Sequence, residues 1–566
     1  MRLSALIAAF GLVALVGCDT TAPLVDCPGG PDCPNTVFDP DTIDFDAISA
    51  VDYAQYVQPL LAARNALSPE ATTEPADLAS VSYSTVLAAG PSSLIVPFDA
   101  DASLLIRLAE EEIAPGSDDP YPNLSAMQDD EVRYLRRWIE AGAPNTGATA
   151  PAYADARALL YVCNQFAGRV SIVDVERQKV IRNVYFEDLG QPADAKPHHV
   201  VAEPDGSAWY VALIAGSEGG SVLKLSGDLT KDPASGDYLL ASEMPPSGET
   251  TFQKPGMLAL DPSEGRLFAG RSFSADPTSS GLGRFNLETL AFELVPTPDV
   301  HPHALGVSRD GAYAFTAALT AQNNRTAAYV LDAATGDLVD QEFVDGALAF
   351  VHYAVSPDGE TVVLTSQLGA ALYVFDFDTA SGDLTLRGSV ATGNQPWHPI
   401  FSPDGSEVFV PNRLSNSVSV VDPAALNVVR TFDAAALPFS QPHGSEISAD
   451  GGTLFVSSRN FVMPMMGNMA APTTGGMDHS GMDHGEMDHD GMDHSGMDHG
   501  EMDSMPAMTM PEIAWTPSIR FLMDDGTSEP EDLYGNVAFL DSATGEVLTV
   551  IQTGRWASGL ALYDPR

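Results

Sequence analysis

One phrase recurs along this chain and constrains it more than any other feature: an apolar stretch, an Asp-Gly turn or a near variant, then a second apolar stretch. Six copies are visible, ending at Gly206, Gly265, Gly311, Gly359, Gly405 and Gly451. Two of them read Ser-Pro-Asp-Gly, at 356–359 and 402–405. The last four copies fall roughly 45 residues apart, the length of one four-stranded propeller blade. Asp-Gly suits the tight hairpin because glycine takes positive φ without steric cost. A seventh copy is divided between the two ends of the chain. Ser558 to Tyr563 reads as a lone inner strand. Leu159–Cys163, Val170–Asp174 and Val180–Val184 read as three strands that lack one. Joined, they complete a blade, close the ring and remove its exposed edges. The expectation is an all-β, seven-bladed β-propeller over residues 151–566 with split-blade closure.

The wording of these strands resembles the YVTN and lactonase-like seven-bladed propellers. Leu160-Tyr161-Val162-Cys163-Asn164-Gln165, the two Ser-Pro-Asp-Gly turns and Ser417-Val418-Ser419-Val420-Val421-Asp422 carry the likeness. The resemblance implies fold; propellers host many chemistries, so function has to come from a site. Cys163 lies where such strands hold a small residue and reads as packing.

Seven of the twelve histidines lie just before an inner strand or at its start: His198, His199, His301, His303, His352, His398 and His443. Inner strands line a propeller's channel, so these side chains are expected at one mouth of it. Neutral imidazoles with no neighbouring cysteine suit copper. The count, the position and the adjacent pair His198-His199 are similar to the catalytic domain of nitrous oxide reductase. That family is a seven-bladed propeller whose seven histidines hold a copper–sulfide cluster. The resemblance implies copper at all seven, in a multinuclear copper–sulfide cluster that reduces N2O to N2. The doublet at His301/His303 and the lack of histidine at Pro255-Gly256-Met257 depart from that pattern. Lactonase-like propellers also carry Pro-His at this junction without metal, as in Pro197-His198, Pro302-His303 and Pro442-His443.

Residues 461–515 interrupt the sixth blade with a five-residue unit: Met477-Asp478-His479, Met482-Asp483-His484, Met487-Asp488-His489, Met492-Asp493-His494 and Met497-Asp498-His499. Thioether sulfur favours Cu(I) and imidazole suits either copper state. The unit resembles the Met-Asp-His repeats of periplasmic copper-resistance proteins. It follows the strand Thr453–Ser458, which returns to the face where the histidines begin. An accessory copper loop over the channel mouth is therefore expected.

The first 18 residues read as an export signal: Arg2, an apolar run from Leu3 to Val16, then Gly17-Cys18. Leu15-Val16-Gly17-Cys18 resembles the bacterial lipobox, which implies a lipidated Cys18 and a membrane-anchored lipoprotein facing the periplasm or cell exterior. Residues 19–45, rich in Pro, Asp and Gly, read as a linker, and Cys27 and Cys33 are available for a disulfide there. Residues 46–150 show helical spacing at Tyr53, Val57, Leu60 and Leu61, and again at Val132, Leu135, Trp138 and Ile139, with Asp129-Asp130 as cap and first-turn charges. Val57-Gln58-Pro59-Leu60-Leu61 and Leu135 to Ala143 resemble the small cytochrome c domains that precede some propellers. The family's Cys-x-x-Cys-His is replaced by Asn65 to Pro69, and its axial Met-Pro by Tyr121-Pro122. The likeness implies a mainly α, degenerate cytochrome c-like domain with no haem.

Lys and Arg total 27 against 77 Asp and Glu, a formal net charge of −50. That balance repels phosphate backbones and excludes nucleic acid as a partner. A reductase of this kind lacks its own electron supply here, since Cys163 is the lone cysteine after residue 150. An external donor is implied, a cytochrome c or a cupredoxin, steered by the acidic surface. Oligomeric state stays open. Two alternatives stand beside the copper oxidoreductase: a periplasmic copper-sequestering propeller, and a metal-independent lactonase-like hydrolase.

Overall fold

The computed structural model describes residues 38–71, 74–90, 92–112, 119–215, 221–244, 254–271, 281–299, 301–319, 325–345, 349–433, 440–459, 521–522, 528–529 and 535–565. Cys18, Cys27, Cys33 and the Met-Asp-His loop (Met477, His479, Met482, His484, Met487, His489, Met492, His494, Met497, His499) lie outside them. Residues 1–43 and 44–566 form two compact units. The described part of the first carries one short turn of 3-10 helix, Pro40–Thr42. Among the described residues no helix is long and apolar enough to cross a membrane.

Seven four-stranded antiparallel sheets make up the propeller. Their inner strands are Lys196–Ala202, Pro255–Asp261, Pro302–Val307, Phe350–Val355, Ile400–Phe401, Pro442–Ile447 and Ala557–Tyr563; these open blades 1 to 7 in that order. Each inner strand contacts its two neighbours around the ring. Blade 7 is the split one: the C-terminal strand Ala557–Tyr563 pairs with Leu159–Asn164, with Arg169–Asp174 and Lys179–Tyr185 outside it. Blade 6 pairs Thr453–Ser458 directly with Asn536–Asp541, so the long insert leaves and rejoins one sheet.

The repeated turn has a local chemical cause. In blades 3, 4, 5 and 6 a serine hydroxyl donates to an aspartate two residues on (Ser308 to Asp310, Ser356 to Asp358, Ser402 to Asp404, Ser448 to Asp450). The same hydroxyl accepts the backbone N–H five residues on, from Tyr313, Thr361, Glu407 and Thr453. The glycine after the aspartate then takes φ between +70° and +81°. Ser-x-Asp-Gly thus closes its own hairpin and fixes the register of two strands.

The core lies between blades rather than in one centre. Blades 3 and 4 share a cluster that includes Phe315, Val330, Tyr353, Leu364 and Phe375. Strands buried on both faces explain the continuous apolar runs.

The helical region, from Asp44 to about residue 150, belongs to the same compact unit as the propeller. Lys179 Nζ donates to the carbonyls of Ala89 and Gly90, and Asp99 accepts from Asn183 and Tyr185 of blade 7. Its longest helix, Asp129–Glu140, departs from the expected cap: Gln128 is the N-cap, and the Glu131 carboxylate accepts the Gln128 N–H. Asp129 and Asp130 are first-turn charges, which the helix dipole favours. The end of the expected linker is packed too. Phe45 is fully buried and its N–H donates to Asp130.

Candidate metal centre

Every described inner strand starts with an irregularity. Register shifts fall between Pro197 and His199, Pro255 and Leu258, Pro302 and Ala304, Phe350 and Tyr353, and Pro442 and Ser445. Blade 5 shows the same break as an isolated bridge from Pro396 to Asn412, ahead of the strand proper. A bulge adds an unpaired residue and re-aims side chains, so two consecutive residues can face one side. The residue before the break has positive φ in six blades: Lys254, His301, Ala349, Gln395, Gln441 and Trp556.

Counted from these breaks, the histidines occupy two adjacent strand positions. His198, His303 and His443 hold the first, and His199, His352 and His398 the second. Ring contacts follow the same grouping. In the first tier His198 lies 5.9 Å from His303 and 5.9 Å from His443. In the second, His199 lies 5.5 Å from His352 and 5.3 Å from His398, and His352 lies 4.6 Å from His398. His398 and His443, 4.8 Å apart, join the tiers. The structure therefore brings together six of the seven expected residues.

His301 stands apart. It is the positive-φ residue before the break, the position of Lys254 or Gln441 in other blades, and it is partly exposed. Burial and the Arg271 guanidinium lower its pKa.

Burial keeps the six neutral. His303 is pushed down to about 4 and His352 to about 3, and His198, His199, His398 and His443 well below the ordinary imidazole range, by burial first; the Arg459 guanidinium adds to this for His198 and His443. Neutral imidazole is the form that ligates metal. Nε2 of His198, Nδ1 of His352, Nε2 of His398 and both ring nitrogens of His443 are buried without a hydrogen-bond partner. Each such atom costs about 1–3 kcal/mol when left unsatisfied. His303 Nδ1 faces the Val351 carbonyl at 3.1 Å, which makes it the N–H and leaves the Nε2 lone pair for a ligand. His199 is set differently: its Nδ1 accepts the Leu258 N–H at 3.2 Å, so in this arrangement its proton sits on Nε2.

These residues fit a metal in the chemistry of their donors. With a metal–nitrogen bond of about 2 Å, two imidazoles on one ion have ring centres roughly 5 Å apart. Among the described residues no three His, Cys, Asp or Glu side chains are already drawn in to hold one ion. The separations, 4.6–5.9 Å, are those of rings in contact.

Three residues that sequence reasoning passed over complete the mouth. Trp397 takes the first strand position in blade 5 and stacks on His443; Arg413 and Arg459 follow second strands and lie over Trp397. The break after Gln395-Pro396 would have placed Trp397 beside the histidines. From the face that carries the Asp-Gly turns, a cavity of about 290 Å³ reaches His352, lined among others by Val355, Ile400, Phe401 and Ile447. Cys163 is buried, and burial pushes its thiol well up, as for a packing residue.

The family model described as Lactonase, 7-bladed beta-propeller matches residues 243–471. No curated protein matches the chain. Among solved structures, hydrazine synthase of Kuenenia stuttgartiensis is similar at 15% identity and a TM-score of 0.41, covering 53% of this chain and 89% of its own. A candidate 6-phosphogluconolactonase of Bacteroides fragilis is similar at 14% and 0.46, covering 73% and 100%. A Lactobacillus plantarum protein is similar at 12% and 0.45, covering 72% and 99%.

Proposed function

We propose that the two histidine tiers hold a multinuclear copper centre and that the protein reduces nitrous oxide with electrons from an external donor. The observation that carries this reading is the packing of six neutral imidazoles at one end of the channel, five of them buried and His352 partly so, with ring nitrogens of His198, His352, His398 and His443 lacking a partner. Copper held by these histidines would pass on the donor's electrons and offer a soft site for a small neutral oxide of nitrogen. The overall balance is N2O plus two protons and two electrons to N2 and water. The chain's own residues provide neutral donors and an approach past Val355, Ile400 and Phe401, with Arg309, Ser402 and Ser448 also on its wall. His303 is pre-oriented by the Val351 carbonyl. His199 would join the ligand set if the Leu258 N–H released its Nδ1. We assign the Met-Asp-His loop as a copper reservoir and Cys18 as the lipid anchor, on the motifs alone.

The family match over residues 243–471 favours a second reading, a lactonase-like hydrolase in which the histidines act without metal. Two measurements separate the readings. Copper and acid-labile sulfide are counted per chain in anaerobically purified protein lacking residues 461–515. Several coppers with sulfide, together with N2O consumption on a chemical reductant, support the first. Lactone hydrolysis that survives a copper chelator supports the second. Protein from its native cells that carries no copper outside the loop would sink the reductase reading.

A further inference from the structure

We infer that Arg413 and Arg459, set against Trp397 at the channel mouth, form a binding site for a small monovalent inorganic anion directly above the histidine tiers. The Arg459 guanidinium carbon lies 5.5 Å from the centre of the Trp397 ring and 4.5 Å from that of Trp556. The Arg413 carbon lies 5.9 Å from Trp397. Arg459 is 6% exposed, and its Nε is buried without a partner, as is Nε1 of Trp397. Arg413 spends its Nε on Gln441 Oε1 at 3.2 Å. Neither arginine is in an ion pair with a carboxylate of the described residues. In a chain with 77 acidic residues, two neighbouring guanidiniums against aromatic rings, Arg459 buried and Arg413 partly so, without one are an exception that calls for a counter-charge.

Arginine cannot escape by losing its proton as a buried lysine can. The histidines beneath add no negative charge, because they are neutral. The two guanidiniums lie against the same Trp397 ring and repel each other. A small anion lodged against the two forks satisfies the donors and cancels that repulsion. Multiply charged or bulky anions are disfavoured by the aromatic walls. Copper below would add positive charge and strengthen the site, but the inference stands without it.

The test uses full-length protein stripped of copper by a chelator. Thermal midpoints are measured across chloride, nitrate and hydrosulfide series, with gluconate holding ionic strength constant. A saturable rise is expected for the small anions, roughly 2 °C at a hundredfold excess over Kd. Arg459→Gln is expected to abolish it and Arg413→Gln to weaken binding at least tenfold. Should Arg459→Gln not fold, Arg459→Lys replaces it, expected to weaken binding because the fork is lost. Tighter binding of hydrosulfide than chloride would mark a sulfide source, and the reverse order a halide. An equal rise in wild type and variants, or none in wild type, overturns the site. Since no copper is present, failure of the copper reading leaves this result unaffected.

Discussion

Trp397 and His443 stack with ring centroids 4.2 Å apart and 28° between their planes. The two come from adjacent blades and both sit at the first position after the strand break. The indole thus acts as a wall that holds one imidazole while the other two of its tier close the ring. Trp397 is nearly buried, so its removal leaves a cavity. Trp397→Ala is expected to cost about 3–5 kcal/mol of stability. Trp397→Phe, which keeps an aromatic face, should cost less and retain copper. Thermal melts and copper counts on both variants check this.

The separation of His301 from the other six yields a sharp contrast. His301→Ala is expected to leave copper per chain outside the loop unchanged. His303→Ala and His398→Ala, one from each tier, should each weaken copper at least tenfold, about 1.4 kcal/mol per tenfold. Competition with a calibrated chelator gives the number. Equal losses in all three would mean that His301 swings into the ligand set.

Gly559 shows how tightly the inner strands approach. A Cβ at this position would stand 2.5 Å from the His198 carbonyl oxygen and 2.9 Å from the His199 Cα. These are backbone atoms and cannot turn aside. Gly559→Ala is expected to destabilise by about 1–3 kcal/mol and to displace the His198-His199 pair. A melt shows the first effect, and a drop in copper without loss of blade structure by circular dichroism shows the second.

The fold was legible because its signal is repeated. Ser-x-Asp-Gly closes a hairpin by local hydrogen bonds, so each copy specifies the same strand pair wherever it falls. The split blade followed from counting strands. The histidines were visible as a set, but their grouping was not, because it depends on a bulge. One residue either way decides whether a side chain faces the channel, and that residue is marked only by the proline after Lys254, His301, Gln395 and Gln441. Read with that marker, His301 falls before the break and His303 after it. Arg413 and Arg459 were illegible for another reason: each follows a second strand, and pairing within blade 5 and the packing of blade 6 beside it bring them to Trp397. The Asp129-Asp130 pair was misread as a cap because the residue before it, Gln128, caps less often than aspartate.

Stability against pH offers a test of the neutral tiers. In the unfolded chain a histidine titrates near 6.5. In the folded chain His303 waits until about 4 and His352 until about 3. Between those values the unfolded state binds protons that the native state refuses, so stability falls as pH falls. Each contributes about 1.4 kcal/mol per pH unit across its window. Above pH 6.5 both states are neutral and these groups add no slope. Glu446, on the inner strand of blade 6, works the other way: burial raises its carboxyl to about 8. Its native state keeps a proton that the unfolded state has released, so its contribution is whole below about 4.5 and is lost as pH rises to 8. Asp404, held at about 2 by the serine hydroxyls of its turn, acts only in stronger acid. Copper-free protein is therefore expected to be most stable near pH 6.5. Replacing Glu446 by Gln should flatten the alkaline limb, and replacing His303 by Gln should make the acid limb shallower. Urea midpoints from pH 4 to 8 measure both limbs. An acid limb that stays as steep in the His303→Gln protein would show that the tier is not buried in solution.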